Sequence, residues 1–395
     1  MNAAASRRVV ITGIGIVSCV GLGKDAFWNG ILGPAPEGNR RSVNDFDPSA
    51  YFGPKEVRRV DRFTQFAVAA AEMCVDDAEH PEFDPDRAGA FIATGIGGIA
   101  TLEGQIAVRL EKGERRVSPF LVPMMMGNAA TGNVSMRFGW RGPSETTVTA
   151  CASSTHSIGN AARVVASGRC VAMLAGGSEA SLTPTSIAGF QNMTALSTSG
   201  VSRPFDKERD GFIIAEGAAV LLLEELEHAR ARGVHIYGEI LGSANTADAY
   251  HITAPEPTGS GAVSCMQFAL EDAGLKPEDI KHINAHGTST PLNDGAEAKA
   301  VNKVFGTPGP PITSIKGVTG HALGAAGALE AAASVLSIER ALLPPTRGTT
   351  DVDPAIELDL VLDEPRQWTP GPVLSNSFGF GGHNGSLVIG PPPTG

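Results

Sequence analysis

Six apolar runs in this chain end in glycine-rich or polar turns, and alanine-rich stretches with helical spacing lie between them. The runs are RRVVITGIGIV, AGAFIATGIGG, CVAMLAGGSEA, AAVLLLEELE, KHINAHGTST and GPVLSNSFGFGG. Continuous apolar runs bounded by turn residues are the mark of strands buried on both faces. The intervening FTQFAVAAAEMCVDDA, SIGNAARVVASG, AVSCMQFALEDAG and GAAGALEAAASVLSIERAL repeat apolar residues or alanine at helical intervals. Alternation of the two periods predicts an α/β fold whose strands deliver loops at their carboxyl ends.

At 395 residues and 42% hydrophobic content the chain is long enough for two domains or one duplicated one. Two segments share a layout: FAVAAAEMCVDDAEHPEFDPDRAGAFIATGIGG and AVSCMQFALEDAGLKPEDIKHINAHGTST. Each is an apolar helix ending in acidic residues, a turn with proline and aspartate, then a strand ending in small polar residues. This suggests an internal duplication with halves 1–235 and 236–395, meeting near Gly233 to Gly238; chance likeness of two helix-turn-strand units is the alternative. A net charge of −11 argues against nonspecific binding to nucleic acid or to an anionic membrane. The start MNAAASRRVVITGIGIVS has no secretory pattern and no apolar run reaches membrane-spanning length, so a cytoplasmic protein is expected. Five scattered cysteines, none in a C-x-x-C pair, fit neither a disulfide framework nor a zinc site.

Each thiol is then judged by its surroundings. Cys151 lies between the β-branched ETTVTA and the small, hydroxyl-rich opening of a helix, ASSTHSIGNAARVVASG. There the helix N-terminus would stabilise a thiolate, which suits a nucleophile, although a buried inert thiol fits the position equally well. His156, five residues on, points away from Cys151 by helical geometry and is a poor base for it. His286 in NAHGTSTPLND and His321 in KGVTGHALGAAG both stand at strand-to-helix junctions, as catalytic or as structural histidines. Glu330, alone in the apolar GALEAAASVL, needs a partner if buried, and Lys316 is the nearest candidate. The closing SNSFGFGGHNGS offers either a tight turn or backbone N–H groups for an oxyanion.

Taken together, TACASS, RPFDKERDGF, NAHGTSTPLND, KGVTGHALGAAG and NSFGFGGHNGS resemble, in that order, the motifs of the elongating type II β-ketoacyl-acyl carrier protein synthases of the thiolase superfamily. The resemblance runs nearly the whole chain. It implies a thiolase-like duplicated five-layer α/β/α/β/α fold, a homodimer, no redox cofactor and no metal. It implies further that Cys151 is acylated, that His286 and His321 serve malonyl decarboxylation, and that Lys316 and Glu330 orient His321 and local water. The N–H groups of Cys151 and Phe380 would hold the oxyanion, with Phe380 and Phe378 forming a gate. Thr288 and Thr290 would bind the pantetheine arm and Phe190 the acyl chain. Lys55, Arg58, Arg59, Arg115 and Arg116 would dock an acidic acyl carrier protein. A thiolase would carry a second cysteine in the closing motif, an initiating synthase asparagine for His321, and a chain-length factor no Cys151. PMMMGNAATGN is expected at the acyl pocket or at a subunit interface, with plain core packing the alternative. His383, CASST and a short ALSTSGVSRPFD loop leave the acyl substrate open, including specialised lipid or polyketide assembly.

Overall fold

The computed structural model describes residues 7–394. Ten strands run in series through its eleven-stranded central sheet: β1 (Val9–Ser18), β2 (Ala88–Ala93), β3 (Ser144–Glu145), β4 (Ala172–Glu179), β5 (Gly217–Glu225), β6 (Gly238–Ala247), β7 (His282–Asn284), β8 (Ile312–Thr313), β9 (Val373–Gly379) and β10 (His383–Gly390). In space they run β8-β7-β9-β10-β6-β1-β5-β4-β2-β3, with Gly21–Leu22 folded back on β1. Outward from the central β1–β6 pair, both halves place their strands in the order first, fifth, fourth, second, third. Directions repeat too: in each half two antiparallel pairings are followed by two parallel ones. Identical order and sense in two halves is a duplication of topology.

Six helices matter to the site: α1 (Arg62–Asp77), α2 (Ile99–Lys112), α3 (Ser153–Ala166), α4 (Ser260–Ala273), α5 (Pro291–Phe305) and α6 (Ala326–Arg340). α1 packs on β1, β5 and β4, whereas α3 covers the other face of those strands and meets α6, which in turn packs on β9 and β10. α4 lies outside β6 and β10, beside α5. The result is five layers: outer helix, half-sheet, central α3 and α6, half-sheet, outer helix. A helix between two sheets has no solvent face, so α6 buries thirteen of its fifteen residues and is built from alanine, glycine and serine. The close packing reaches the strands as well. A Cβ at Gly15 of β1 would lie 1.8 Å from the Ala70 carbonyl of α1.

The two look-alike sequence segments are α1–β2 and α4–β7, at matching positions in the two halves, each linked through a 3-10 turn (Pro85–Arg87 and Pro277–Asp279). Two strand expectations shrink. Of ETTVTA only Glu145 belongs to a strand, and KHINAHGTST contributes three strand residues. In both places the chain leaves the sheet early because its next residues are needed around a cavity. Among the described residues no helix is long and apolar enough to cross a membrane.

Candidate active site

Cys151 sits in the 3-10 turn Ala150–Ala152 that runs into α3, and it is 7% exposed. Ala150 takes a left-handed φ of 51°, which turns the chain sharply and aims the thiol inward. Ser153 locks the turn, its Oγ accepting from Thr149 N–H and donating to the Ala150 carbonyl. His156 is spent on structure: Nδ1 bonds Thr149 Oγ1 and Nε2 meets the Asn384 carbonyl, both at 2.9 Å.

Long-range closure brings the histidines to the thiol. His321 is pinned by its own N–H to the Ile213 carbonyl and by the Ala215 N–H to its carbonyl, and its ring meets the edge of Phe212 at 5.1 Å. Its Nε2 lies 3.0 Å from Cys151 Sγ. His286 follows β7, where Glu297 of α5 accepts from the N–H groups of His286 and Gly287 at 2.7 and 2.8 Å, and Asp294 accepts from Thr288 N–H at 3.0 Å. The two imidazoles stand edge to face, 5.4 Å apart. One ligand atom each from Cys151, His286 and His321 falls within 4.8 Å of the others.

Lys316 and Glu330 do form a buried ion pair, as the lone charge in α6 required. Its target differs from the expectation. The Lys316 ammonium donates to the His286 carbonyl at 2.5 Å and lies 3.4 Å from His286 Nδ1, so the pair orients His286 and not His321. An ammonium at Nδ1 favours the tautomer with the proton on Nε2.

Burial sets the protonation states. It pushes both His286 and His321 well below the ordinary histidine value, with the Lys316 charge adding to the effect, so both rings are neutral at pH 7. It also pushes Cys151 up to about 12, against the opposing Lys316 charge and the Phe380 N–H. The helix-terminus argument predicted a thiolate; desolvation of the sulfur wins, and the resting group is a thiol beside a neutral imidazole. Glu297 rises to about 7 through burial, and Glu330 shifts upward for the same reason.

These groups line a cavity of about 610 Å³. Ile96, Phe190, Met193, Phe212 and Leu323 give it an apolar lobe, and Thr288, Thr290, Asp248 and Asn293 a polar one. The two threonine hydroxyls bond each other at 2.9 Å. Phe378 packs on His286 at 5.9 Å, and Phe378, Gly379 and Phe380 all border the cavity. A Cβ on Gly379 would lie 3.0 Å from Cys151 N, which is why glycine is required where the closing loop passes Cys151.

Comparisons with known proteins identify the family. The pattern of the β-ketoacyl synthase N-terminal domain matches residues 33–229, and that of the C-terminal domain matches 237–350. The 3-oxoacyl-[acyl-carrier-protein] synthase 2 of Synechocystis sp. is 45% identical over 97% of this chain and 98% of its own, and that of Staphylococcus aureus strain COL 44% with the same coverage. The chain belongs to the β-ketoacyl synthase family. Solved structures concur: the ishigamide ketosynthase/chain length factor superposes with a TM-score of 0.93 at 33% identity, covering 98% of this chain and 100% of that one. A β-ketoacyl synthase from Burkholderia phymatum STM815 gives 0.91 at 35% with the same coverage. As a ketosynthase the chain is an acyltransferase that condenses malonyl units with acyl chains in fatty-acid or polyketide biosynthesis.

One further expected placement needs amendment, and three residues are new to this ketosynthase site. Met124, Met125 and Met126 do not line the cavity; the short helix Leu121–Met125 buries nothing and Met126 is exposed, so the acyl-pocket reading of PMMMGNAATGN fails. Lys55, Arg58, Arg59, Arg115 and Arg116 are exposed and make no ion pair among the described residues, and Arg59 lies over Phe120, 4.7 Å from its ring centre, joining the two clusters. Asp294, Glu297 and Glu179 were missed. Glu179 and Glu297 are carboxylates inside apolar or alanine-rich runs, the same cue that singled out Glu330; Asp294, in the polar PLNDG, carries no such cue.

Proposed function

We propose that Cys151 carries the growing acyl chain while His286 and His321 bind and decarboxylate malonyl carrier thioester. The observation behind this reading is the thiol and two neutral imidazoles within 4.8 Å of one another at one cavity. In the first half-reaction the Cys151 thiol gives its proton to His321 Nε2 as the sulfur attacks the acyl carrier thioester, and the carrier thiol leaves reprotonated. The acyl chain then lies in the apolar lobe. In the second, the malonyl thioester loses carbon dioxide, and Nε2–H groups hold the enolate oxygen, that of His321 once acylation of Cys151 has removed the thiol proton it accepts and its own proton has moved to Nε2. Its carbon attacks the Cys151 thioester, the N–H groups of Cys151 and Phe380 holding the oxyanion; collapse expels the Cys151 sulfur, which takes up one proton from solvent, and releases 3-oxoacyl carrier. Neutral rings suit this task because each keeps an N–H without adding charge. Lys316 and Glu330 position His286. Thr288 and Thr290 take the pantetheine arm, Phe190 the acyl chain, and Phe378 with Phe380 the gate.

The nucleophile comes from one half of the chain, 1–235, and both histidines from the other, 236–395. The carrier docks on Lys55, Arg58, Arg59, Arg115 and Arg116; a type II polyketide ketosynthase that superposes at a TM-score of 0.91 and 33% identity was solved with its acyl-carrier protein. The active form is a cytoplasmic homodimer. Its contact face is α2, which buries no residue, with exposed Leu102, Ile106 and Leu110 and the neighbouring Phe120 and Val122.

Incubation with acyl carrier and intact-mass spectrometry is expected to show one acyl adduct on Cys151. Malonyl decarboxylation should fall at least about a hundredfold in both His286→Ala and His321→Ala, with acylation kept in His286→Ala and slowed in His321→Ala, which loses the base at Cys151. Decarboxylation retained with acylation lost would overturn the histidine roles, and no adduct on folded protein would make the chain a noncatalytic partner subunit.

A further inference from the structure

Glu179 ends β4 deep inside the molecule and makes no ion pair among the described residues. Three donors converge on its carboxylate. Oε2 accepts from the N–H of Gly95 at 2.7 Å and of Gly324 at 3.1 Å, and Oε1 from Ser181 Oγ at 2.6 Å. Gly95 and the apolar Ile96 belong to the wall of the cavity. Gly324 lies in the turn Leu323–Ala325 that follows His321, a turn strained by a φ of 45° at Leu323. The two loops touch backbone to backbone. A Cβ on Gly324 would fall 2.0 Å from Gly95 N, and one on Gly95 2.6 Å from Glu179 Oε2.

On its N-terminal side His321 is pinned by Ile213 and Ala215; on its C-terminal side the next fixed point is this bridge. We propose that Glu179 is a positioning residue that ties the apolar wall of the cavity to the His321 turn, so that the bound acyl chain and the imidazole keep one register. A carboxylate suits this because it only accepts, and every group around it donates. Replacing it with an apolar side chain leaves two buried N–H groups without acceptors and frees the turn. The inference rests on the catalytic reading of His321 given above.

Glu179 also raises the Cys151 thiol pKa through its charge, so the comparison must be between two neutral variants. Glu179→Gln keeps a carbonyl acceptor; Glu179→Leu has none. Alkylation of Cys151 by iodoacetamide, which needs no substrate, is measured for both, with His321 present and in His321→Ala. The expected result is an about tenfold difference between E179L and E179Q that disappears in the His321→Ala background. Condensation kcat should fall at least about tenfold in E179L with carrier KM within about threefold, and recover in E179Q. Equal alkylation of E179L and E179Q with His321 present, or a difference that persists without His321, overturns the tie. If His321→Ala keeps full decarboxylation, the catalytic reading fails while the alkylation cycle still judges the tie. Should E179L not fold, Gly95→Ala, whose added Cβ presses on the carboxylate, takes its place in the same cycle.

Discussion

Cys151 shows how a single residue's chemistry depends on where the fold puts it. Its position at the start of a helix argues for a thiolate; its burial in an apolar cavity holds it as a thiol with a pKa of about 12. The sign is testable. Below the pKa the thiolate fraction grows tenfold per pH unit, so the rate of Cys151 alkylation should climb about tenfold per unit from pH 7 to 9 without levelling. A plateau near pH 7 would show that the helix terminus prevails over desolvation. Glu330 teaches the complementary lesson. A charge amid alanines announced a buried ion pair from sequence, yet its beneficiary, His286, became visible only when Lys316 was placed beside that ring.

At the scale of elements the layers are held by backbone contacts as close as side chains allow. Gly13 and Gly15 of β1 face the carbonyls of Cys74 and Ala70 on α1, and Gly176 of β4 faces that of Ala219 on β5. Gly15→Ala should therefore force β1 and α1 apart and cost about 2–3 kcal/mol or prevent folding, measured by chemical denaturation. Gly104→Ala in exposed α2 meets nothing within 4 Å and should be neutral or stabilising by about 0.5–1 kcal/mol. Helices and strands themselves were legible, since α1, α3, α4 and α6 lie where alanine and apolar residues recur at helical spacing. The short β3 and β7 were not, because β-branched residues favour strands locally while the cavity claims their backbone for turns.

For the whole molecule, two surfaces carry predictions. α2 presents leucine and isoleucine to solvent at helical intervals without burying one of its residues, the face proposed above to meet a second copy. Ile106→Glu with Leu110→Glu should convert a dimer into monomer by sedimentation; an unchanged dimer would place the interface elsewhere. The cationic cluster around Arg58 and Arg59 faces solvent unpaired on a chain of charge −11. Charge reversal at both should raise the carrier KM about tenfold at low salt with little change in kcat, and the difference should shrink as salt rises. Equal KM values at low salt would reject that patch.

The alternating periods determined an α/β fold, and the motif order with the repeated helix-turn-strand layout pointed to a duplication, with a candidate nucleophile at one junction and two candidate histidines at others. Periodicity and residue chemistry are local properties, readable along the chain. Which groups meet, and in what protonation state, was decided by closure over long separations: Cys151 and His321 touch across 170 residues. Desolvation decided the rest, because the energy of a buried thiol, imidazole or carboxylate is set by everything packed around it. For that reason the thiol at Cys151, the attachment of Lys316 to His286 and the bridge at Glu179 belong to the tertiary structure alone.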